Sequence, residues 1–136
     1  MIRRVRKLRD DARGAAAIEF ALVAPALILF IIGIAQLGIL FMANAGLTHA
    51  VAEGARLATI FPRPTDAEIR AQIADSRFGL NPANLTTPTI THGTQDGASY
   101  ADISASYTVP IDFIFFTLPP LTLTETRRAF IQPVVT

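Results

Sequence analysis

The sequence predicts an α+β protein: a single N-terminal transmembrane helix, extended as one long helix, carrying a small antiparallel β-sheet head. Three observations predict it. Residues 20–43 contain no Asp, Glu, Lys, Arg or His, a run of 24 residues, and ~20 apolar residues suffice for a helix to cross a hydrocarbon core. Apolar residues then recur at Leu47, Val51, Ala55 and Ala58, the spacing of one helix face. Further on, the pattern becomes alternation, at Ala101, Ile103, Ala105, Tyr107 and Val109 and again from Leu123 to Ile131, which is the period of a strand.

Charge divides the chain the same way. The net charge is +1, but residues 1–14 carry Arg3, Arg4, Arg6, Lys7, Arg9 and Arg13 against Asp10 and Asp11. The rest is net acidic. Basic residues flanking a span stay on the cytoplasmic side, so the N-terminus is expected inside and the C-terminal region outside. This divides the chain into a basic cytoplasmic leader (1–14), a transmembrane helix (15–43) and an extracytoplasmic α+β head (44–136). No further basic stripe follows the leader, which argues against a nucleic-acid partner. The chain has no cysteine, so disulfides and thiolate chemistry are excluded.

The entrance to the span is unusual. Gly14-Ala15 forms a small-residue step, and a lone carboxylate, Glu19, follows at the mouth of the apolar run. A secretory signal would be cut behind its apolar region, and Ala43-Asn44-Ala45 offers small residues there. Against that alternative, the apolar run exceeds the usual ~7–15-residue core of a signal peptide. A carboxylate inside a bilayer costs ~2.5–3.5 kcal/mol at the centre and less near an interface, so Glu19 is a functional candidate. Pro25 removes one helix hydrogen bond and is expected to kink or loosen the helix.

The string Arg13-Gly14-Ala15-Ala16-Ala17-Ile18-Glu19-Phe20-Ala21-Leu22-Val23-Ala24-Pro25 resembles the start of TadE-like proteins, minor pseudopilins of tight-adherence (Tad) pilus systems. Ala50-Val51-Ala52-Glu53-Gly54-Ala55-Arg56 is similar to that family's Ala-x-x-Glu-Gly-Ala-Arg signature. The resemblance implies a prepilin-peptidase site cut between Gly14 and Ala15, with Glu19 as the fifth residue of the mature chain. It implies that Glu19 pairs with the N-terminal amine of a neighbouring subunit. Phe20 departs from the Tyr that usually follows this Glu in major pilins. The partners implied are the lipid bilayer, the peptidase, other pilin or pseudopilin subunits and the Tad machinery. The implied location is the bacterial inner membrane, single-pass, with incorporation in a pilus.

A helix over residues 15–60 would be about 70 Å long at ~1.5 Å per residue, in keeping with a pilin-like layout. Gly46 and Gly54 are soft points in it, each costing ~1 kcal/mol relative to Ala. Glu53 and Arg56 are spaced to pair. The small residues around them are read as letting the head's sheet pack closely, rather than as a ligand site. Phe61-Pro62-Arg63-Pro64 ends the helix, and Thr65-x-x-Glu68 reads as a capping box. A short helix is expected over 66–77, with Ile69 and Ile73 on one face and Gly79 stopping it. Strands are expected over 87–92, 100–109 and 121–132. Gln95-Asp96-Gly97 is the turn between the first two, and Pro110 ends the second strand or places it at an edge. His49 is expected to pair with Glu53, and His92 to lie at a strand end. Residues 111–120, Ile-Asp-Phe-Ile-Phe-Phe-Thr-Leu-Pro-Pro, leave three readings open: burial under the sheet, dipping into the outer leaflet, or docking a partner.

No phosphate loop, nucleophile elbow or zinc-protease pair occurs. No enzyme activity, cofactor, metal or small-molecule substrate is expected. The reading is a structural, pilin-like subunit, inserted N-in and cut after Gly14. The alternative is an uncleaved single-span anchor whose outer domain binds other envelope or secretion-system components.

Overall fold

The computed structural model describes residues 12–113 and 116–131. The basic leader up to residue 11, Ile114, Phe115 and the C-terminal residues from Gln132 lie outside the described residues. The elements are α1 (Ala12–Ala58), α2 (Asp66–Asp75), a 3₁₀ turn (Pro82–Asn84), β1 (Thr89–Gln95), β2 (Ala98–Asp112) and β3 (Thr117–Ile131). The protein is thus α+β, a long N-terminal apolar helix with a three-stranded antiparallel sheet in the order β1-β2-β3. It divides into two compact units, one ending at Leu37 and one beginning at Gly38.

In the first unit the described residues are all helix, and α1 continues unbroken through Pro25. No sequence feature stops it sooner, because its residues are mostly Ala, Leu and Ile, with a single Pro in the interior. Its apolar side chains face outward, Phe20 and Leu22 among them.

The second unit holds the core. From α1 it takes Ala43, Leu47, Ala50, Val51 and Ala58, all buried. Fully burying a side chain such as Leu47 or Val51 is worth about 1.5–3 kcal/mol. The helix ends where Phe61-Pro62 and Pro64 forbid its continuation. Thr65 then caps α2 with the expected box. The Thr65 hydroxyl oxygen accepts from the Glu68 amide at 3.3 Å, and the Thr65 amide donates to Glu68 Oε2 at 2.7 Å. The Thr65 amide, and after it the Thr65 hydroxyl donating to Glu68 Oε2 at 2.8 Å, hold the Glu68 carboxyl below its ordinary range. Ile69 and Ile73 are buried as their spacing predicts. The helix stops at Asp75 rather than Arg77. Ser76 makes the last helical bond to Gln72 at 2.9 Å, while Gly79 bends the following loop with φ +71°.

The sheet is a meander. Asp96 and Gly97, at φ 52° and 81°, form the tight turn joining Gln95 to Ala98, the geometry favoured by Asp-Gly in two-residue hairpins. β1 starts at Thr89, just past Pro88, rather than at residue 87. Odd-numbered β2 residues from Ala101 to Val109 are buried against the core, and the even-numbered ones face away. On β3, Ala129 and Ile131 share the buried face. Toward the other end of that face, Glu125 and Arg127 pair at 2.9 Å.

Two expectations about prolines are corrected. Pro110 neither ends β2 nor puts it at an edge, since β2 is the central strand and runs on to Asp112. The register shifts there: Val109 pairs with Leu121 and Ile111 with Leu118, so Pro110 lies opposite Pro119 and Pro120. A bulge is one of the few places a sheet accepts proline, and β1 reaches only to the level of Ser104. Residues 111–120 are likewise no separate segment. They are the end of β2, the turn and the start of β3, and β3 begins at Thr117. Burial under the sheet is overturned for the described tip, because Phe116 and Leu118 are exposed.

Candidate functional site

The expected processing and assembly residues lie in the first two turns of α1. Gly14, Ala15, Glu19 and Phe20 are all exposed and helical. The Gly14–Ala15 bond falls near the start of the described part of α1. Glu19 lies one helical turn beyond Ala15. Among the described residues it has no hydrogen-bonding or ionic partner. It is a carboxylate surrounded on its own helix by the exposed apolar side chains of Ile18, Phe20, Leu22 and Val23. The most apolar window of this helix is only 6% buried, whereas a core helix of that composition would be covered. One N-terminal helix that is long, apolar and uncovered suggests a single-pass membrane protein.

The second group, residues 50–56, is a packing device. Ala50, Val51 and Gly54 are buried. A Cβ built on Gly54 would sit 2.5 Å from Ile73 Cγ1 and 2.8 Å from Ile73 Cδ1. Gly46, two turns earlier, is as tight: a Cβ there would collide with the Phe78 carbonyl oxygen and touch the Leu80 side chain. The two glycines expected to be soft points are therefore close-approach sites. At Gly54 the partner is α2, not the sheet. On the polar side, Arg56 Nε donates to Glu53 Oε2 at 2.9 Å, so Arg56 rather than His49 is the partner of Glu53. His49 instead lines an open groove of about 410 Å³ with Met42, Ala45, Gly46 and Phe78.

Two polar clusters escaped the sequence reading. His92 lies in mid-strand, not at a strand end. Its Nε2 donates to Asp66 Oδ1 at 2.8 Å, and its Nδ1 accepts from Arg63 at 3.0 Å. Arginine only donates, which places the ring proton on Nε2. The cluster ties β1 to the start of α2. On the open face of the sheet, Arg128 grips Asp102 through two bonds of 2.7 Å. It also donates to Gln95 at 2.6 Å and lies 3.9 Å over the Tyr100 ring. The hydrogen bonds from Arg128 hold the Asp102 carboxyl below its ordinary range. Tyr100 in turn meets Phe130 edge-on at 6.5 Å and lies across Gly93, where any Cβ would strike its ring. One signal could have found this cluster. Counting pairs outward from the Asp96-Gly97 turn sets Gly93 opposite Tyr100 and Thr91 opposite Asp102.

Neither cluster assembles a nucleophile with a base. Among the described residues no group of His, Asp and Glu could hold a metal ion. No curated protein matches the chain, and no solved structure matches it. Residues 14–56 match the family model described as TadE-like protein. That match starts on the Gly14 step and ends on Arg56, so over most of its long helix, from the exposed apolar start to the buried glycine seat, the chain is similar to TadE-like proteins.

Proposed function

We propose that this protein is a structural, minor pilin-like subunit of a Tad-type pilus system, inserted with its N-terminus in the cytoplasm and cut between Gly14 and Ala15. The observation that carries the reading is the two-part character of α1. Its first part exposes a continuous apolar surface with one carboxylate near the start, and its second part is built into a folded head. A helix of that kind transfers from lipid to a bundle of like helices without exchanging its apolar surroundings for water. The TadE-like match covers both parts.

In this reading residues 15–43 are the membrane segment and 44–136 the extracytoplasmic head. Cleavage creates an α-amino group on Ala15, positive below a pKa of ~7.7–8. Glu19 of a neighbouring subunit neutralises it in a low-dielectric bundle, where an unpaired charge is costly. The partners are the prepilin peptidase, other pilin or pseudopilin subunits and the Tad machinery. Cleavage behind Ala45 fits less well, because Ala43 and Leu47 on either side belong to the buried core of the head.

Intact mass and N-terminal sequencing of the protein isolated from membranes test the proposal. A chain starting at Ala15 is expected. Retention of residues 1–14 would instead identify an uncleaved single-span anchor.

A further inference from the structure

Ile60 and Phe61 follow the end of α1 and belong neither to its apolar run nor to the core of the second unit. Phe61 is 78% exposed and Ile60 45%. The segment that presents them is braced on both sides. The Thr59 amide donates to the Arg56 carbonyl at 3.2 Å, and the Ile60 amide to the Leu57 carbonyl at 3.0 Å. Pro62 and Pro64 fix their own φ angles. Arg63 between them donates to His92 on β1 at 3.0 Å, and Thr65 caps α2. Two apolar side chains are thus held out in water on a stiff ledge, so little conformational freedom is left to lose when a partner covers them.

The same unit carries a hole. The open groove of about 410 Å³ between α1 and the Phe78 loop is lined by Met42, Ala45, Gly46, His49 and Phe78, and His49 is the only one of these with a titratable side chain. Gly46 lets the Phe78 carbonyl come close to α1, which sets the loop as one wall. The Phe78 ring itself is largely exposed, and a second ring packed on it adds to the gain from buried area. Sixteen residues separate Ala45 from Phe61, about 24 Å at ~1.5 Å per residue, so a chain does not fill its own groove. Knob and groove are different surfaces of one compact unit. Contacts between different surfaces of identical chains run head to tail and stay open unless the rotation closes a ring.

We propose that Phe61, with Ile60 beside it, seats in the groove of a second copy of this chain, against the partner's Phe78, so that heads join head to tail. The offset of knob from groove along α1 is what selects a second copy. Chains inserted the same way have parallel helices, and a slide of about 24 Å brings the knob of one level with the groove of the next. A symmetric pairing would set Phe61 against Phe61 and leave the groove open. Arg56 and Arg63 flank the knob, and the groove lining holds no Lys or Arg to repel them. Other exposed aromatics of the head fit less well. Phe130 packs edge-on against Tyr100, and Phe41 lies next to Met42, at the level of the groove itself. The inference deepens the reading of the chain as a filament subunit and rests on it for the parallel setting of the copies.

Cross-linking of the full-length protein in membranes tests this. The chain has no cysteine, so Thr59→Cys marks the knob and Asn44→Cys the groove, both at exposed positions that leave Phe61 and the lining intact. Chains with one probe are co-expressed with chains carrying the other and treated with a short bis-maleimide. The mixed 59–44 dimer is expected to exceed the 59–59 and 44–44 dimers several-fold, and chains carrying both probes should give a ladder of oligomers. Phe61→Asp in the Thr59→Cys chain, or Ala45→Arg in the Asn44→Cys chain, should each lower the mixed dimer several-fold, while Phe61→Leu retains it. Absence of the mixed dimer, like dimers as abundant as the mixed one, or a mixed dimer unchanged by Phe61→Asp overturns the proposal. A Leu27→Cys chain separates this contact from the reading beneath it. Dimers at 27–27 without 59–44 dimers overturn the head-to-tail contact while the helices still gather in the bilayer. A 44–27 product in place of 44–59 overturns it too, the groove then being filled by the neighbour's apolar stretch. A 59–44 dimer in protein recovered from the soluble fraction supports the contact and overturns the spanning reading.

Discussion

Gly54 of α1 lies directly against Ile73 of α2, with room for a hydrogen but not for a methyl group: a Cβ would stand 2.5 Å from Ile73 Cγ1. Ile73 is fully buried and has nowhere to retreat. The glycine of the Glu-Gly-Ala-Arg segment is therefore a seat for the second helix, and it fixes where α2 lies on α1.

The seat sets up opposing effects on substitution. Gly54→Ala gains ~1 kcal/mol of helix propensity and loses about 1–3 kcal/mol to overpacking. A net loss is expected in denaturant unfolding of the detergent-solubilised protein. Adding Ile73→Val should recover part of it. A Gly54→Ala protein as stable as the parent would mean that α2 shifts freely on α1.

The neighbouring ion pair should behave differently. The Arg56 side chain is 64% exposed in its pair with Glu53, and exposed pairs contribute about 0.2–1 kcal/mol. Arg56→Ala is expected to change unfolding free energy by less than about 1 kcal/mol. If this pair serves subunit contact, filament incorporation will drop in the same variant while the fold persists.

Acid should weaken the open face of the sheet. Arg128 holds the Asp102 carboxyl below its ordinary range. A carboxyl with a lower pKa in the folded chain adds stability above its unfolded value and loses it as the pH falls through the folded one. Asp102→Asn is therefore expected to be less stable than the parent at pH 7. The gap should narrow as the pH drops below ~4, where an ordinary aspartate protonates. Thermal melts of both proteins across that range check it. A gap unchanged between neutral and acid pH would mean that the carboxylate charge contributes nothing.

Glu19→Gln tests the proposed assembly contact. The variant should insert in the membrane as the parent does, since a neutral amide costs less in lipid than a carboxylate. Its incorporation into pili should fall, measured as the ratio of sheared-filament to membrane protein. Unchanged incorporation would remove Glu19 from the mechanism.

Much of the local structure was legible from the residues. The capping box at Thr65 and Glu68 formed as its spacing requires, and the Asp96-Gly97 turn set the β1–β2 register. The core faces of α2 and β2 followed from period alone. The proline at 110 misled, because a proline's compatibility with a sheet depends on what lies across from it. Opposite Pro119 and Pro120 at a bulge, it lets a long hairpin continue where alone it signals an end. The Arg128 and His92 clusters were hidden for a related reason. Their members lie 26 to 33 residues apart and meet only once strands pair.

The uncharged run of α1, the lone carboxylate at its start and the continuation of the helix on an apolar stripe are all written in the residues. These depend on composition and on a 3.6-residue period that neighbours along the chain already carry. What Gly46 and Gly54 are for, and that Phe116 and Phe78 are exposed, was settled by the folded chain. A residue's type fixes its size and polarity. Which surface it meets depends on strands and helices brought together from distant parts of the chain.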